Sequence, residues 1–398
     1  MSIDNKDKIL NVPNLRFPEF SGEWEKGSLM NIASISKGSG ISKEQLSDSG
    51  LPCILYGELY TKYKSEVITD IYSKTDIETK GLVSSKANDV IIPCSGEAAI
   101  EIATARCVPM SNILLGGDLN IIRLNGHDGR FFAYQLNGKR KIDIAKVAQG
   151  VSVVHLYGEH LKKIKIAYPS IEEQTKIAEM LSLIDRRIST QNKIIEKLES
   201  LIKGICNKLL FADNGKPVRL IDILTERTEK TKENNQHEVL SSTVKGIFSQ
   251  REYFSKDIAS ENNIGYKIIR LYDIVLSPQN LWMGNINYNE KFKVGIVSPS
   301  YKIFSIKAEF DKRLVAFMLK THRALYNYML VSEQGASVVR RNLNMEAFEQ
   351  LVFKMPPYNK QREIGKTLSL LQTRLELESK IKLNYEQQKK HLLTEMFI

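Results

Sequence analysis

Three stretches of this chain concentrate side chains suited to reading flat, hydrogen-bonding ligands. Tyr56, Glu58, Tyr60, Lys62, Tyr63 and Lys64 crowd the first, PCILYGELYTKYKSE. Thr243, Lys245, Gln250, Arg251 and Tyr253 crowd the second, EVLSSTVKGIFSQREYF. Gln279, Asn280, Trp282, Asn285 and Asn287 fill the third, SPQNLWMGNINYN. Arg and Lys fit O6 and N7 of guanine, Asn and Gln fit N6 and N7 of adenine, and carboxylates accept from N4 of cytosine. Two basic runs, Lys139–Arg140–Lys141 and Arg340–Arg341–Asn342, carry groups that would hold phosphates, a contact that positions without reading. The alternative is ordinary solvated loops with some core aromatics. Residue types alone leave both readings open.

No catalytic constellation accompanies these loops. Met355–Pro356–Pro357–Tyr358 resembles the Asn/Asp-Pro-Pro-Tyr motif of amino-methyltransferases. Met355 has no polar group to bond a target amine, and no F-x-G-x-G turn precedes it. It reads instead as a proline pair between a strand and a helix. No GxxxxGK[ST] loop is present for nucleotide hydrolysis. Glu378–Ser379–Lys380 mimics a nuclease ExK but falls inside a long helical segment, where solvated surface is the plainer reading. The six histidines form no ligand cluster, so no metal site is expected. Cys53, Cys94, Cys107 and Cys206 are scattered without a CxxC, which suits a reducing cytoplasm.

A chain of 398 residues implies two domains or more. Its 26% charged and 42% apolar residues are those of an ordinary globular protein. The net charge of +11 favours a polyanionic partner without requiring one. No apolar run approaches the ~20 residues of a membrane span. The opening MSIDNKDKIL lacks an apolar core, so no signal peptide is expected and the cytoplasm is the expected location.

The chain says much of this twice. Pro169, Gln174, Ile177, Leu181, Ser182, Leu183, Arg187, Lys193, Ile194, Glu199 and Lys203 return as Pro356, Gln361, Ile364, Leu368, Ser369, Leu370, Arg374, Lys380, Ile381, Glu386 and Lys390. QGVSVV from Gln149 matches QGASVV from Gln334, DVIIP from Asp89 resembles DIVLS from Asp273, and LMNI from Leu29 resembles LIDI from Leu220. These offsets run from 184 to 191, so the chain is a tandem duplication of a unit far longer than a solenoid repeat. The expected division is a globular part over 1–168, a helix over 169–212, a second globular part over 213–355 and a second helix over 356–398. Short β-rich runs such as VIIPCS, LNIIRL, GYKIIRL and YKIFSI, each half followed by short helices, predict α+β domains with mixed sheet.

Ile177, Leu181, Ile184, Ile188, Gln191, Ile195, Leu198, Ile202, Ile205 and Leu209 step by 4 and 3 without a slip, the seam of a coiled coil. Ser170 with Glu173 predicts a capping box, and Asn214, Gly215 and Pro217 a stop. About 40 residues make a rod of about 60 Å. On the second helix Ile364, Leu368, Leu371 and Leu375 keep the seam, then Glu378, Lys382 and Lys389 fall on it. Either the register shifts to Leu377 and Ile381, or long charged stems lie along the partner with their heads in water. Antiparallel pairing of the two helices with each other is the preferred arrangement, over separate coiled-coil dimers between chains.

VPNLRFPEFSGEWEKGSL, QGVSVVHLYGEHLKKIKIAYPSIEEQTKIAEMLSLIDRRI and the second copy of the latter resemble the specificity subunit of type I restriction–modification systems over almost the whole chain. That resemblance implies two target recognition domains carried on two spacer helices. It implies a non-catalytic subunit that binds double-stranded DNA at an asymmetric bipartite site. The implied partners are two modification subunits using S-adenosylmethionine and two restriction subunits using ATP and Mg; the chain itself would hold no cofactor. Lys360 where Glu173 stands, Gln372 for Asp185 and Pro357 for Ser170 put equivalent docking of the two helices in question. A solitary DNA methyltransferase and a non-DNA coiled-coil scaffold are the rival readings.

Overall fold

The strand-forming runs of both halves build the same antiparallel frame. The computed structural model describes residues 11–210, 215–253, 262–335 and 340–398. It divides into two compact units, Met1–Asn192 with Ile381–Ile398, and Lys193–Lys380. In the first, a four-stranded sheet runs in the order Ala33–Lys37, Leu119–Leu124, Asp89–Pro93, Arg106–Val108. In the second the order is Leu224–Arg227, Lys302–Ile306, Ile274–Leu276, Ile286–Tyr288. The repeated DVIIP and DIVLS motifs are thus inner strands, and every residue of Asp89–Pro93 is buried. Such runs have no polar face to offer water, which confines them to a sheet interior. Each motif opens on a buried aspartate with the same duties. Asp89 accepts from the Lys86 amide at 2.8 Å and from Arg123, and Asp273 accepts from the Arg270 amide at 2.8 Å and from Arg227.

Away from the frame the units differ. The first adds a three-stranded sheet of Ser73–Thr75, Leu51–Ile54 and Leu114–Leu115, in which the last two run parallel. The second has instead a hairpin, Leu240–Thr243 with Gly246–Ser249. The mixed α+β architecture expected from the sequence is present in both.

The long helices are Ile171–Leu210 and Tyr358–Glu395. In the first unit they run antiparallel: Asp185 faces Lys389, and Arg187, further along, lies over the earlier Tyr385. Ile177, Leu181 and Ile184 share a core there with Leu392, Met396 and Phe397. In the second unit Ile202, Ile205 and Cys206 join a core with Ile364 and Leu368. Ile188, Ile195, Leu198, Leu371 and Leu375 are half-buried and Gln191 buried, while the side chain of Leu209 lies outside the described residues. The second helix does not shift register. Leu377 and Ile381 are exposed, whereas Glu378, on the unshifted seam, is buried. Lys382 keeps a half-buried stem beside Glu386, but the head of Lys389 is not in water, as described below.

The repeated Pro-x-x-x-x-Gln start has a common geometry. Gln174 Nε2 donates to the Pro169 carbonyl at 2.8 Å, and its Oε1 accepts from the Asp128 amide at 3.1 Å. Gln361 Nε2 donates to the Pro356 carbonyl at 2.8 Å, and its Oε1 accepts from the Asp311 amide at 3.0 Å. Asp128 and Asp311 are the N-caps of Gly129–Asn137 and Lys312–Leu319. In a capping box the cap's own amide is answered from within the same helix; here a glutamine on the long helix answers it from outside. Both glutamines are buried. The second contact is tight enough to exclude a side chain at Gly365, whose Cβ would stand 2.9 Å from the Leu314 amide and closer still to the Asp311 carboxylate.

The expected capping box at Ser170 forms only by half. Ser170 Oγ accepts from the Glu173 amide at 3.5 Å, but the Glu173 carboxylate is taken by Arg16, at 2.7 and 2.8 Å, and by Trp24 Nε1 at 3.3 Å. A guanidinium fork outcompetes one backbone amide for a buried carboxylate. This explains the distinctive Arg and Trp of the N-terminal motif.

Gln174→Ala and Gln361→Ala should each lower stability by about 1–3 kcal/mol, because each leaves a buried cap amide and a proline carbonyl unanswered; denaturant titration of the two variants measures this. The first clamp also titrates. Gln174 Nε2 lies 3.0 Å from His127 Nδ1, and burial holds His127 below the usual imidazole value. A group favoured neutral in the fold gives its full stabilisation above about pH 6.5 and loses it as the pH falls below that. Phe310 occupies the matching place before Asp311. His127→Phe should therefore flatten the fall in melting temperature between neutral and mildly acidic buffer; an unchanged slope would assign that fall elsewhere.

Candidate functional site

In the first unit, the segment singled out for Tyr56 to Lys64 is partly structural. Glu58 begins the short helix Glu58–Thr61 and is buried, accepting from the Leu55 amide at 3.0 Å, from Lys62 Nζ at 2.6 Å and from Ser73 Oγ. Both of its carboxylate oxygens are engaged by neighbouring groups, so in this structure it organises the loop. Tyr63 is buried, and Arg106 crosses beneath to donate to the Tyr63 and Leu59 carbonyls at 2.9 and 3.2 Å. Tyr56 and Tyr60 are half-buried, and Lys62 and Lys64 are exposed. Burial raises the Tyr60 hydroxyl above its ordinary value, so it remains a donor. Lys139 is exposed, and Arg140, half-buried, donates to the Ile398 carbonyl at 2.8 Å and sits 3.6 Å from Asp143.

The second unit brings its two segments together. Asn285 Oδ1 accepts from Ser242 Oγ at 2.9 Å, and its Nδ2 donates to the Ser242 carbonyl at 3.0 Å. Asn287 Nδ2 donates to the Thr243 carbonyl at 2.7 Å, and Tyr301 adds a bond to the Ser242 carbonyl at 2.9 Å. Asn285 is buried, and a buried amide with both ends engaged cannot read adenine, so it is corrected to a brace for the hairpin. Thr243 Oγ1 accepts from the Lys245 amide at 3.1 Å, which shapes the turn and leaves Lys245 exposed at the tip. Arg251 is exposed on the turn Gln250–Tyr253, while Gln250 is half-buried with Nε2 3.4 Å from Ser241 Oγ. The side chain of Tyr253 lies outside the described residues.

Gln279 is exposed, Asn280 and Trp282 half-buried. Arg341 donates to Ser332 Oγ at 3.0 Å and to the Ser332 carbonyl at 2.7 Å, with its guanidinium over the Trp282 ring. Arg341 thereby braces the paired strands Ser332–Gln334 and Arg341–Leu343, and Arg340 beside it is exposed. Exposed or half-buried are Tyr56, Tyr60, Lys62, Lys64, Lys139 and Arg140 in one unit and Thr243, Lys245, Gln250, Arg251, Gln279, Asn280, Trp282, Arg340 and Arg341 in the other.

One constellation escaped the sequence reading. Asp185 accepts from Tyr134 OH at 2.7 Å, from Ser65 Oγ at 2.9 Å and from Lys389 Nζ at 2.6 Å, and Lys389 also pairs with Glu66. Burial alone would lower the Lys389 ammonium, but the Glu66 and Asp185 carboxylates outweigh it and hold the pKa above the ordinary lysine value. Ser65 and Glu66 are the root of the Tyr56–Lys64 segment, so both long helices grip that segment directly. The signal available was a lysine on an apolar seam. The counterpart of Asp185 is Gln372, which is only half-buried and bonds Glu376 at 3.3 Å.

Among the described residues no group of three or more His, Cys, Asp or Glu could hold a metal ion, and no helix is long and apolar enough to cross a membrane. Burial pushes the Cys53 and Cys94 thiols up to about 11.

Residues 21–200 match the family model of the type I restriction modification DNA specificity domain. A putative type I restriction enzyme MjaX specificity subunit of Methanocaldococcus jannaschii is 23% identical over 96% of this chain and 95% of its own. The MjaVIII specificity subunit of the same organism is 27% identical over 52% of this chain and 46% of its own. A crystal structure of the type I restriction–modification S subunit from M. genitalium shares the fold, with a TM-score of 0.65, 17% identity, and coverage of 97% of this chain and 99% of that one.

Lys389→Met should cost about 3–5 kcal/mol, since it strands two buried carboxylates. Pairing it with Asp185→Asn should cost less than the sum of the single changes; strict additivity in thermal or denaturant unfolding would show the two groups to be uncoupled.

Proposed function

We infer that this chain, which belongs to the family of type I restriction–modification specificity subunits, gives a DNA-modifying complex its sequence specificity by reading two unlike half-sites. One observation carries the reading of unlike halves. The same glutamine clamp fixes a long helix to each unit, while the surfaces mounted on those units have different strands and different side chains. A common frame keeps a common geometry, and different loops choose different bases. Arg251, Lys245 and Gln279 act as readers in the second unit, and Lys64, Tyr60 and Lys62 serve the first. Arg340 and Lys139 hold phosphates.

Two modification subunits dock on the repeated helix starts, and two restriction subunits join through them. The support is a pair of exposed leucines at matching positions of the repeated helix starts, Leu183 and Leu370. The chain itself is a binding subunit; S-adenosylmethionine, ATP and Mg belong to the partners' chemistry. Support for the division of labour is the lack of nucleotide and methyl-donor motifs in the sequence.

The test separates readers from braces. Arg251→Ala and Gln279→Ala should each cost about 1–3 kcal/mol on the proper site and relax choice at one base pair of one half-site. Asn285→Ala should lower the melting temperature of the free chain. Binding of each variant to duplexes differing by single base pairs measures the first effect. Equal weakening across all duplexes by both Arg251→Ala and Gln279→Ala would show that these side chains do not read.

A further inference from the structure

QGVSVV and QGASVV are repeated, yet in the first unit the motif does not build the core. Gln149, Gly150, Val151, Ser152 and Val153 are all exposed, Val151 to 96% and Val153 to 52%. The repeated LMNI and LIDI runs and the aspartates of DVIIP and DIVLS are accounted for by burial, and Gln174 and Gln361 by the clamp. In this one, Gly150 is explained by its φ of 128° and Val154 by its burial. Gln149, Ser152 and Val153 touch nothing that would demand their return in the second copy. Gln334, the counterpart of Gln149, is exposed as well.

The root of the loop is firm. The Gln149 amide donates to the His155 carbonyl at 2.9 Å, and the His155 amide returns the bond at 2.7 Å. Val154 pairs with Gly96, and the Leu156 amide reaches the Cys94 carbonyl at 2.7 Å, just past the inner strand Asp89–Pro93. In the second unit the flanks of the motif close alike. The Gly335 amide donates to the Arg340 carbonyl at 2.9 Å, and the Arg341 amide to the Gln279 carbonyl at 3.1 Å, just past the matching strand Ile274–Leu276. Gln149 in the first unit, and Gln334–Gly335 with Arg340–Arg341 in the second, therefore close past the same frame strand, and in the second unit this closure adjoins Gln279.

We propose that Gln149–Val153 is a holding loop that contacts the sugar–phosphate backbone of the half-site bound by the first unit and takes no part in choosing bases. The proposal rests on the reading of the chain as a DNA-specificity subunit. The bases differ between half-sites but the backbone does not, so a backbone contact is one that two otherwise unlike surfaces can share. Amide and hydroxyl side chains bond phosphate oxygens, and such contacts position without reading. The valines offer apolar area to the deoxyribose. The adjacency of the second motif to exposed Arg340 and Gln279 favours nucleic acid over protein as the occupant.

The test uses the full chain in complex with its modification subunit, carrying Val151→Asp or Val151→Lys, on a duplex bearing the recognised site and on a scrambled duplex. Val151→Asp should weaken binding to both duplexes by a similar factor, about tenfold, and Val151→Lys should strengthen both, the salt slopes moving by about one in opposite directions. Base preference and subunit content should stay as in the wild type. Variants that bind like the wild type, or that weaken alike whatever the sign of the charge, overturn the proposal. So does a change in base preference. Loss of the modification subunit with DNA affinity intact would assign the loop to a protein contact and overturn it too. A wild-type complex that ignores duplex DNA would instead remove the functional reading, and the loop's role with it.

Discussion

A single amide side chain, used twice, fixes the frame of this protein. Gln174 and Gln361 each span a proline carbonyl at the start of a long helix and the amide of an aspartate that caps a domain helix. An amide carries a donor and an acceptor side by side in one plane, so one uncharged side chain answers both backbone atoms. Inside a core, either backbone group left alone would carry a desolvation cost. The clamp thus ties the start of each long helix to the cap of a helix in its own unit, and each unit also carries a buried aspartate, Asp89 or Asp273, with matching partners.

With the junction common, the differences between halves acquire meaning. In the first unit the Tyr56–Lys64 segment is rooted in a buried ionic cluster, Glu66, Lys389 and Asp185, to which both helices contribute. In the second, Gln372 replaces the aspartate and the hairpin Leu240–Thr243 with Gly246–Ser249 is braced by Asn285 and Asn287. Buried charges of this kind add little net stability over a hydrophobic packing, but removing one partner is costly. The cluster is best understood as a device that fixes where the first segment stands.

Much of this was legible in the sequence because it follows from periodicity. Ile177 to Ile205 and Ile364 to Leu375 lie on the seam that their spacing predicts, and the inner strands fall on the repeated DVIIP and DIVLS runs. Side-chain roles were less legible, since they depend on which way a polar group turns once the chain has folded. Glu58 and Asn285 have the right chemistry to read bases, but turn inward to organise their own loops. Glu173 has the right spacing for a capping box, but Arg16, distant in sequence, claims it. Lys389 breaks an apolar seam in the sequence, and only the fold brings Glu66 and Asp185 beside it to explain why.

The central claim is that one frame carries two different readers. Mapping methylated adenines across the genome of cells that carry this chain with its modification subunit, and of cells lacking only this chain, tests it most directly. The expected result is a motif of two unlike halves separated by unread base pairs, which disappears completely when the chain is removed. A symmetric or uninterrupted motif, or methylation that persists without the chain, would contradict it.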